Sequence, residues 1–324
     1  MALLQFNRKS DTTPLPQHGP QTGPQTGPTA SPEIEALLKD FSIEVMPRTA
    51  AKVEQFAKLL PTGTRVYIAH IDGTSIDEMV LTARRLAAEG FEVMPHFPAR
   101  IIPDEATLAD WISRYQGEAG VGQALLLGGG VSAPAGDFDN SMQLMETGLF
   151  DKAGFTRLHV AGHPEGNRDI DPDGSDRNVL EALRWKQAFS ERTDAEMAVV
   201  TQFVFEADPA IAWAERLRAE GIGLPLHIGV AGPAKLQTLI KFAVACGVGP
   251  SLRVLQKRAR DVTKLLVPHE PTEVLTRLAA HRAAHPDSNI RNIHFFPLGG
   301  IAANGAWTTA NAGGSGIPAN LDQG

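Results

Sequence analysis

The 324 residues contain a single cysteine, Cys246. One thiol cannot build an intramolecular disulfide framework or a multi-cysteine zinc site. A reducing compartment, the cytoplasm, is therefore the expected setting. Basic residues are outnumbered, 30 against 37 acidic, for a formal net charge of −7. That removes the electrostatic footprint of a nucleic-acid partner. No apolar run reaches the length of about 18 residues that a membrane-spanning helix needs. The N-terminus, MALLQFNRKSDTTPLPQHGP, lacks the continuous apolar core of a signal peptide. Neither GxGxxG nor the phosphate-loop sequence GxxxxGK[ST] occurs.

Glycine and proline are plentiful and uneven. The tetrapeptide QTGP stands at 21–24 and again at 25–28, and almost nothing apolar follows Phe6 in this stretch. Such a segment cannot bury enough surface to offset its ordering entropy, so residues 1–32 are expected to form a disordered arm. The end of the chain, 303–324, has the same character, with Trp307 its only large apolar group, and is expected to be a flexible tail.

Between them, 33–302 alternate short β-rich runs with helical patterns. The runs are 41–45, 65–69, 92–95, 124–127, 157–161, 198–203, 226–230 and 292–296. In 76–89, Ile76, Met79, Val80, Ala83, Leu86 and Ala87 recur at helical spacing, Ser75 and Glu78 fit a capping box, and Gly90 follows the end. Leu108, Trp111, Ile112 and Tyr115 mark one face of a second helix over 104–115. Further patterns fill 234–246, 251–266 and 271–285. Strand–helix alternation implies a parallel sheet with right-handed crossovers. Eight repeats point to a closed (β/α)8 TIM barrel flanked by disordered N- and C-terminal tails, with an open doubly wound sheet as its rival.

In a barrel, chemistry gathers at the C-terminal ends of the strands. Glu44 lies between Ile43 and Val45 and so points opposite to them, into the barrel. Burial raises a carboxyl pKa and suits a general acid; the rival reading is an ion pair with Arg48. His70, His96 and His163 follow the second, third and fifth strands as hydrogen-bonding groups lining a pocket. Gly128, Gly129 and Gly130 follow the fourth strand, either as a tight turn or as backbone amides cradling phosphate. His159 and His163 are too far apart on a strand to share a metal. His281 and His285 share a helix face with no carboxylate cluster in view, so no metal is expected. Cys246 has no charged activator and reads as a small core residue.

The ordered motifs SIEVMPR, EVMPHF, HVAGHPEG, VVTQFVFE and GVAGPAKLQTLIKFA, spread over 41–300, resemble those of methylenetetrahydrofolate reductases of the bacterial type. The resemblance implies a TIM barrel that binds FAD. It also implies an oxidoreductase that interconverts 5,10-methylenetetrahydrofolate and 5-methyltetrahydrofolate with NADH or NADPH, and a homo-oligomer. By the same resemblance, Glu44 is the acid that opens the methylene bridge and Gln202 orients the pterin. His96 contacts the flavin and Lys186 lies near the FAD phosphates. Leu236 takes the place of a Phe that packs on nicotinamide or folate, and Phe203 belongs to the pocket wall. Departures stand beside the matches. Gly128–Gly130 replaces Arg-Gly-Asp, His163 replaces Tyr, and Gly299–Gly300 replaces Asn-Arg. Two alternatives stay open. One is a flavin-independent reductase of the same folate; the other is a non-redox folate-binding or methyl-handling protein that partners a methyltransferase.

Overall fold

The computed structural model describes residues 31–246 and 268–312. The arm over 1–30, the helical pattern at 251–266 and the residues after 312 lie outside them, as does the Cys246 side chain. Helix α1 (Pro32–Leu38) opens the described chain. Ser31 caps it by accepting from the Ile34 amide at 3.4 Å, and Pro32 stands in the first turn, where its missing N–H is not needed. The helix thus takes in Pro32, the last residue of the stretch assigned to the arm.

Eight strands follow among the described residues. They are β1 (Ser42–Val45), β2 (Arg65–Ile68), β3 (Glu92–Pro98), β4 (Gln123–Leu127), β5 (Arg157–Gly162), β6 (Glu196–Val204), β7 (Leu226–Ala231) and β8 (Ile290–Phe296). After β1 comes α2 (Pro47–Ala50), after β2 α3 (Ile76–Ala88), and after β3 α4 (Glu105–Ala119). After β4 come α5 (Ser141–Glu146) and α6 (Leu149–Lys152), after β5 α7 (Arg177–Ser190), and after β6 α8 (Ala207–Ala219). After β7 come α9 (Leu236–Cys246) and α10 (Thr272–Ala284), and after β8 α11 (Ile301–Asn311). All neighbouring strands run parallel in the order β1 to β8. The β1–β8 pair, Ser42 opposite His294 and Ile43 opposite Phe295, closes the barrel and excludes the open sheet.

Strand parity sorts the side chains. Ile43, Val45, Val66, Ile68, Val93, Phe97, Val160, Ile228 and Phe295 point outward into the core beneath the helices. A smaller apolar cluster of Tyr67, Met94, Leu125 and Val200 lies within the barrel. The helices form for local reasons. On α3, Ser75 and Glu78 make the expected capping box. On α4, Asp104 accepts from the Thr107 amide at 2.7 Å, and Gly120 ends the helix in a left-handed turn at φ 64°. The α4 stripe of Leu108, Trp111, Ile112 and Tyr115 is buried as its spacing predicts.

The expectation of a flexible tail from 303 is corrected: 301–311 form α11, the last helix of the barrel. Trp307 is buried and meets Phe295 of β8 edge-on at 6.0 Å. The helix escapes a propensity reading because glycine and threonine weaken it. Packing supplies the reason for the glycine, since a Cβ at Gly305 would sit 2.1 Å from the Leu59 carbonyl oxygen. We expect Trp307→Ala to cost about 3–5 kcal/mol of stability, read as a lower urea midpoint. An unchanged midpoint would show that α11 is not part of the cooperative barrel.

One irregularity matters for the site. The β6–β7 register shifts between Val200 and Phe203, a bulge of the kind that re-aims side chains near active sites. Thr201 fills the broken ladder: its Oγ1 accepts from the Gly229 amide and donates to the Gln202 carbonyl, both at 2.8 Å. Gly229 must be glycine here, because a Cβ would come within 2.5 Å of the Thr201 carbonyl oxygen.

Candidate functional site

Glu44 leaves the β1 backbone on the inward side, with 21% of its side chain still accessible. Two imidazoles flank it. His96 of β3 brings Nε2 to 3.3 Å from Oε2, and His294 of β8 brings Nε2 to 3.8 Å from the same oxygen. Neither ring nitrogen has hydrogen-bond geometry to any group among the described residues, so both are close polar contacts. Burial by itself would push the Glu44 carboxyl up, but His294 and His96 outweigh it and hold the pKa down at about 2. The expectation that Glu44 stays protonated is therefore corrected: it is a carboxylate at neutral pH, and its partners are histidines rather than Arg48.

His294 is fully buried. Its Nδ1 is hydrogen-bonded to Ser42 Oγ at 2.9 Å, which fixes the ring and aims Nε2 at Glu44. Its ring also meets Tyr67 edge-on at 4.5 Å. Deeper in the barrel, Tyr67 Oη bonds His159 Nδ1 at 2.6 Å, and His159 meets the His227 ring at 4.8 Å. Burial lowers the pKa of His159, His227 and His294, and raises that of Tyr67. His159 and His227 are therefore neutral hydrogen-bonding groups at neutral pH. The barrel is filled at this level by a polar layer instead of the branched aliphatic residues usual in such cores.

A second group gathers around the end of β5. Lys186 of α7 is 7% exposed. Burial alone lowers its pKa from 10.5 to about 8, with no charged partner contributing. His163 lies near enough to feel that ammonium; burial first, and then the Lys186 charge, lower its pKa to about 4. The amides at the start of α7 are already taken by Asp171, which accepts from Asn178 and Val179 at 3.0 and 3.1 Å. Among the described residues, Lys186 thus stands as a buried cation without a counter-charge.

His70 stacks on Trp111 at 4.8 Å and donates from Nε2 to the Thr74 carbonyl at 3.0 Å. It braces the loop after β2, its Nδ1 buried and unpartnered. Gly129 has φ 100°, which favours glycine, and a Cβ there would lie 3.1 Å from Pro98. Arg100 holds this turn, its backbone amide on the Gly128 carbonyl at 3.0 Å and its guanidinium on Asp139 at 2.9 Å. Gln202 lies within the bulge, its backbone carbonyl taken by Thr201 and its side chain half-buried. Phe203 and Leu236 are 2% and 3% exposed, inside an apolar cluster with Phe205, Ala231 and Leu239. That burial sets both in the apolar packing behind the strand ends.

A cavity of about 1070 Å³ opens at the opposite, N-terminal end, lined by Arg65, Glu92, Arg157, Glu196, His159 and His227. Two ion pairs line it, Arg65 with Glu92 at 2.5 Å and Arg157 with Glu196 at 2.9 Å. The His96 and His294 Nε2 atoms, buried and without a hydrogen bond among the described residues, face Glu44 instead, toward the strand ends where barrel chemistry is performed.

No protein-family model matches the chain. Two solved structures are similar to it. One is a mandelate racemase/muconate lactonizing enzyme from Bordetella bronchiseptica RB50, 13% identical over 86% of this chain and 60% of that one, with a TM-score of 0.38. The other is Yersinia pestis DHPS with a pterine–sulfa conjugate, 13% identical over 86% and 94% of the two chains, with a TM-score of 0.41. This chain spans 60% of the length of the first. At these scores the likenesses carry no functional argument, and the barrel rests on its own strand pairing. No helix among the described residues is long and apolar enough to cross a membrane.

Sequence reasoning missed Ser42, Tyr67 and His294, which position the carboxylate. A signal was present: histidines at inward parity in LHIGVA and NIHFF stand where an aliphatic residue is ordinary.

Proposed function

We propose that this barrel is a folate oxidoreductase interconverting 5,10-methylenetetrahydrofolate and 5-methyltetrahydrofolate, with NAD(P)H as the hydride source. The observation that carries the reading is the Glu44 carboxylate held between His96 and His294 at the mouth, in the motif positions of the reductase resemblance. Opening the methylene bridge consumes one proton and leaves an iminium carbon that accepts hydride. Glu44 is ionised, so it does not store that proton. It faces His96 Nε2 at 3.3 Å, and the His96 ring is the group placed to hand the proton to the bridge nitrogen. His294 and Ser42 keep the carboxylate in place, and the Gln202 amide orients the pterin.

The residues present fit a phosphate-bearing cofactor. Lys186 is a buried cation whose pKa no charged partner among the described residues raises, with His163 beside it, and the Gly128–Gly130 turn leaves backbone accessible near the mouth. These groups, with His70 behind the β2 loop, would hold FAD, which when bound relays hydride between NAD(P)H and the folate carbon. A flavin-independent transfer is the second reading. It is favoured by the turn after β4, where a glycine at φ 100° stands in a run that lacks the arginine and aspartate side chains of the flavin enzymes.

Purified protein is expected to show a flavin absorption band and to oxidise NADH when methylenetetrahydrofolate is added. A colourless preparation with the same turnover selects the second reading. Inactivity in both directions with added FAD overturns both.

A further inference from the structure

Outside the mouth, two histidines of the α10 helical pattern meet a carboxylate that sequence spacing did not reveal. His281 lies in the last turn of α10 and His285 caps its end. Their rings stack at 4.4 Å with 23° between planes. Glu215 of α8 reaches the same spot, its Oε1 4.0 Å from His281 Nδ1. One ligand atom from each of the three lies within 4.8 Å of the others. The expectation that no carboxylate accompanies this pair is corrected by the packing of α8 against α10.

Three features make this a site for a metal ion rather than a chance cluster of polar groups. His285 donates from Nδ1 to the His281 carbonyl at 3.0 Å. That bond fixes the tautomer and leaves Nε2 as a lone-pair donor, the backbone support that metal-binding imidazoles ordinarily have. The neighbouring arginines pair elsewhere, Arg218 with Asp287 and Arg277 with Asp208, so neither ties up the Glu215 carboxylate. The His281 side chain is only 9% exposed, so its ring is held in place by the packing of α8 against α10.

We propose that Glu215, His281 and His285 bind one divalent transition-metal ion of the zinc type, clamping α8 to α10. Two imidazoles and one carboxylate match the donor preference of such ions and not that of calcium or magnesium. Three protein ligands leave a fourth position for water. Because α10 ends just before β8 begins, the clamp sits toward the N-terminal rim, away from Glu44.

The test is calorimetric titration of the metal-free, tag-free full chain with zinc chloride, with magnesium chloride as control. We expect saturable uptake of one zinc ion, no magnesium uptake, and a higher thermal midpoint with zinc. His285→Ala and Glu215→Gln, both at exposed positions, are each expected to abolish the uptake and the thermal shift while leaving the circular dichroism spectrum unchanged. The absence of saturable zinc uptake by the unaltered chain overturns the proposal. So does full uptake by either variant.

Discussion

Glu44→Gln is expected to lower folate turnover by about 10²- to 10⁴-fold, the range for loss of a positioned acid–base group, while NAD(P)H oxidation by an artificial acceptor survives. The substitution keeps the shape but removes the negative charge that faces the two imidazoles. It also removes the group that holds the His294 pKa up against burial. His294→Asn provides the contrast. Without the largest influence holding Glu44 down, burial is opposed by His96 alone and the carboxyl pKa rises from about 2. The acid limb of the pH–rate profile should therefore move to higher pH, with the carboxylate still present. Steady-state rates in both half-reactions across pH check this. Equal loss of both half-reactions in Glu44→Gln would show that the residue only supports the fold.

Lys186→Met is expected to stabilise the protein and to weaken retention of a phosphate-bearing cofactor. The Lys186 pKa falls from 10.5 to about 8 on folding. That corresponds to about 3 kcal/mol of destabilisation while the unfolded and folded forms are both protonated. Between about pH 8 and 10.5 the folded form has lost the proton that the unfolded form still holds, so stability rises with pH across that window. Below it the penalty is fully present; above it the penalty is gone. Methionine fills similar space without a charge, so a gain of about 1–3 kcal/mol is expected at pH 7, vanishing by pH 10.5. Urea unfolding of both proteins at pH 7 and near pH 10.5 measures it. A variant less stable than the parent at pH 7 would mean that the ammonium is paired in solution. An altered stability with unchanged cofactor retention would remove Lys186 from the binding site. A residue that weakens the fold where a ligand anion would relieve it is characteristic of a functional position.

Much of the barrel is legible locally. The β-rich runs at 65–69, 157–161 and 226–230 lie within a residue of β2, β5 and β7, because inward–outward alternation and β-branched residues are properties of a short segment. The α3 cap is legible for the same reason. Helix α11 is not. Its glycine and threonines argue against a helix, and only the close approach to Leu59 and the burial of Trp307 explain them. The zinc-type cluster divides in the same way: His281 and His285 announce themselves by spacing, whereas Glu215 arrives from another helix.

The sequence by itself determined that the chain alternates strands and helices eightfold, and that Glu44 faces inward from the first strand. Both follow from patterns a few residues long. Tertiary structure alone decided what Glu44 is. Closing β8 against β1 brings together Ser42 and His294, 252 positions apart in the chain, and sets an imidazole beside a carboxylate that burial alone would have kept protonated. Charge state depends on distance through space and on exclusion of water, and neither exists until the barrel has closed.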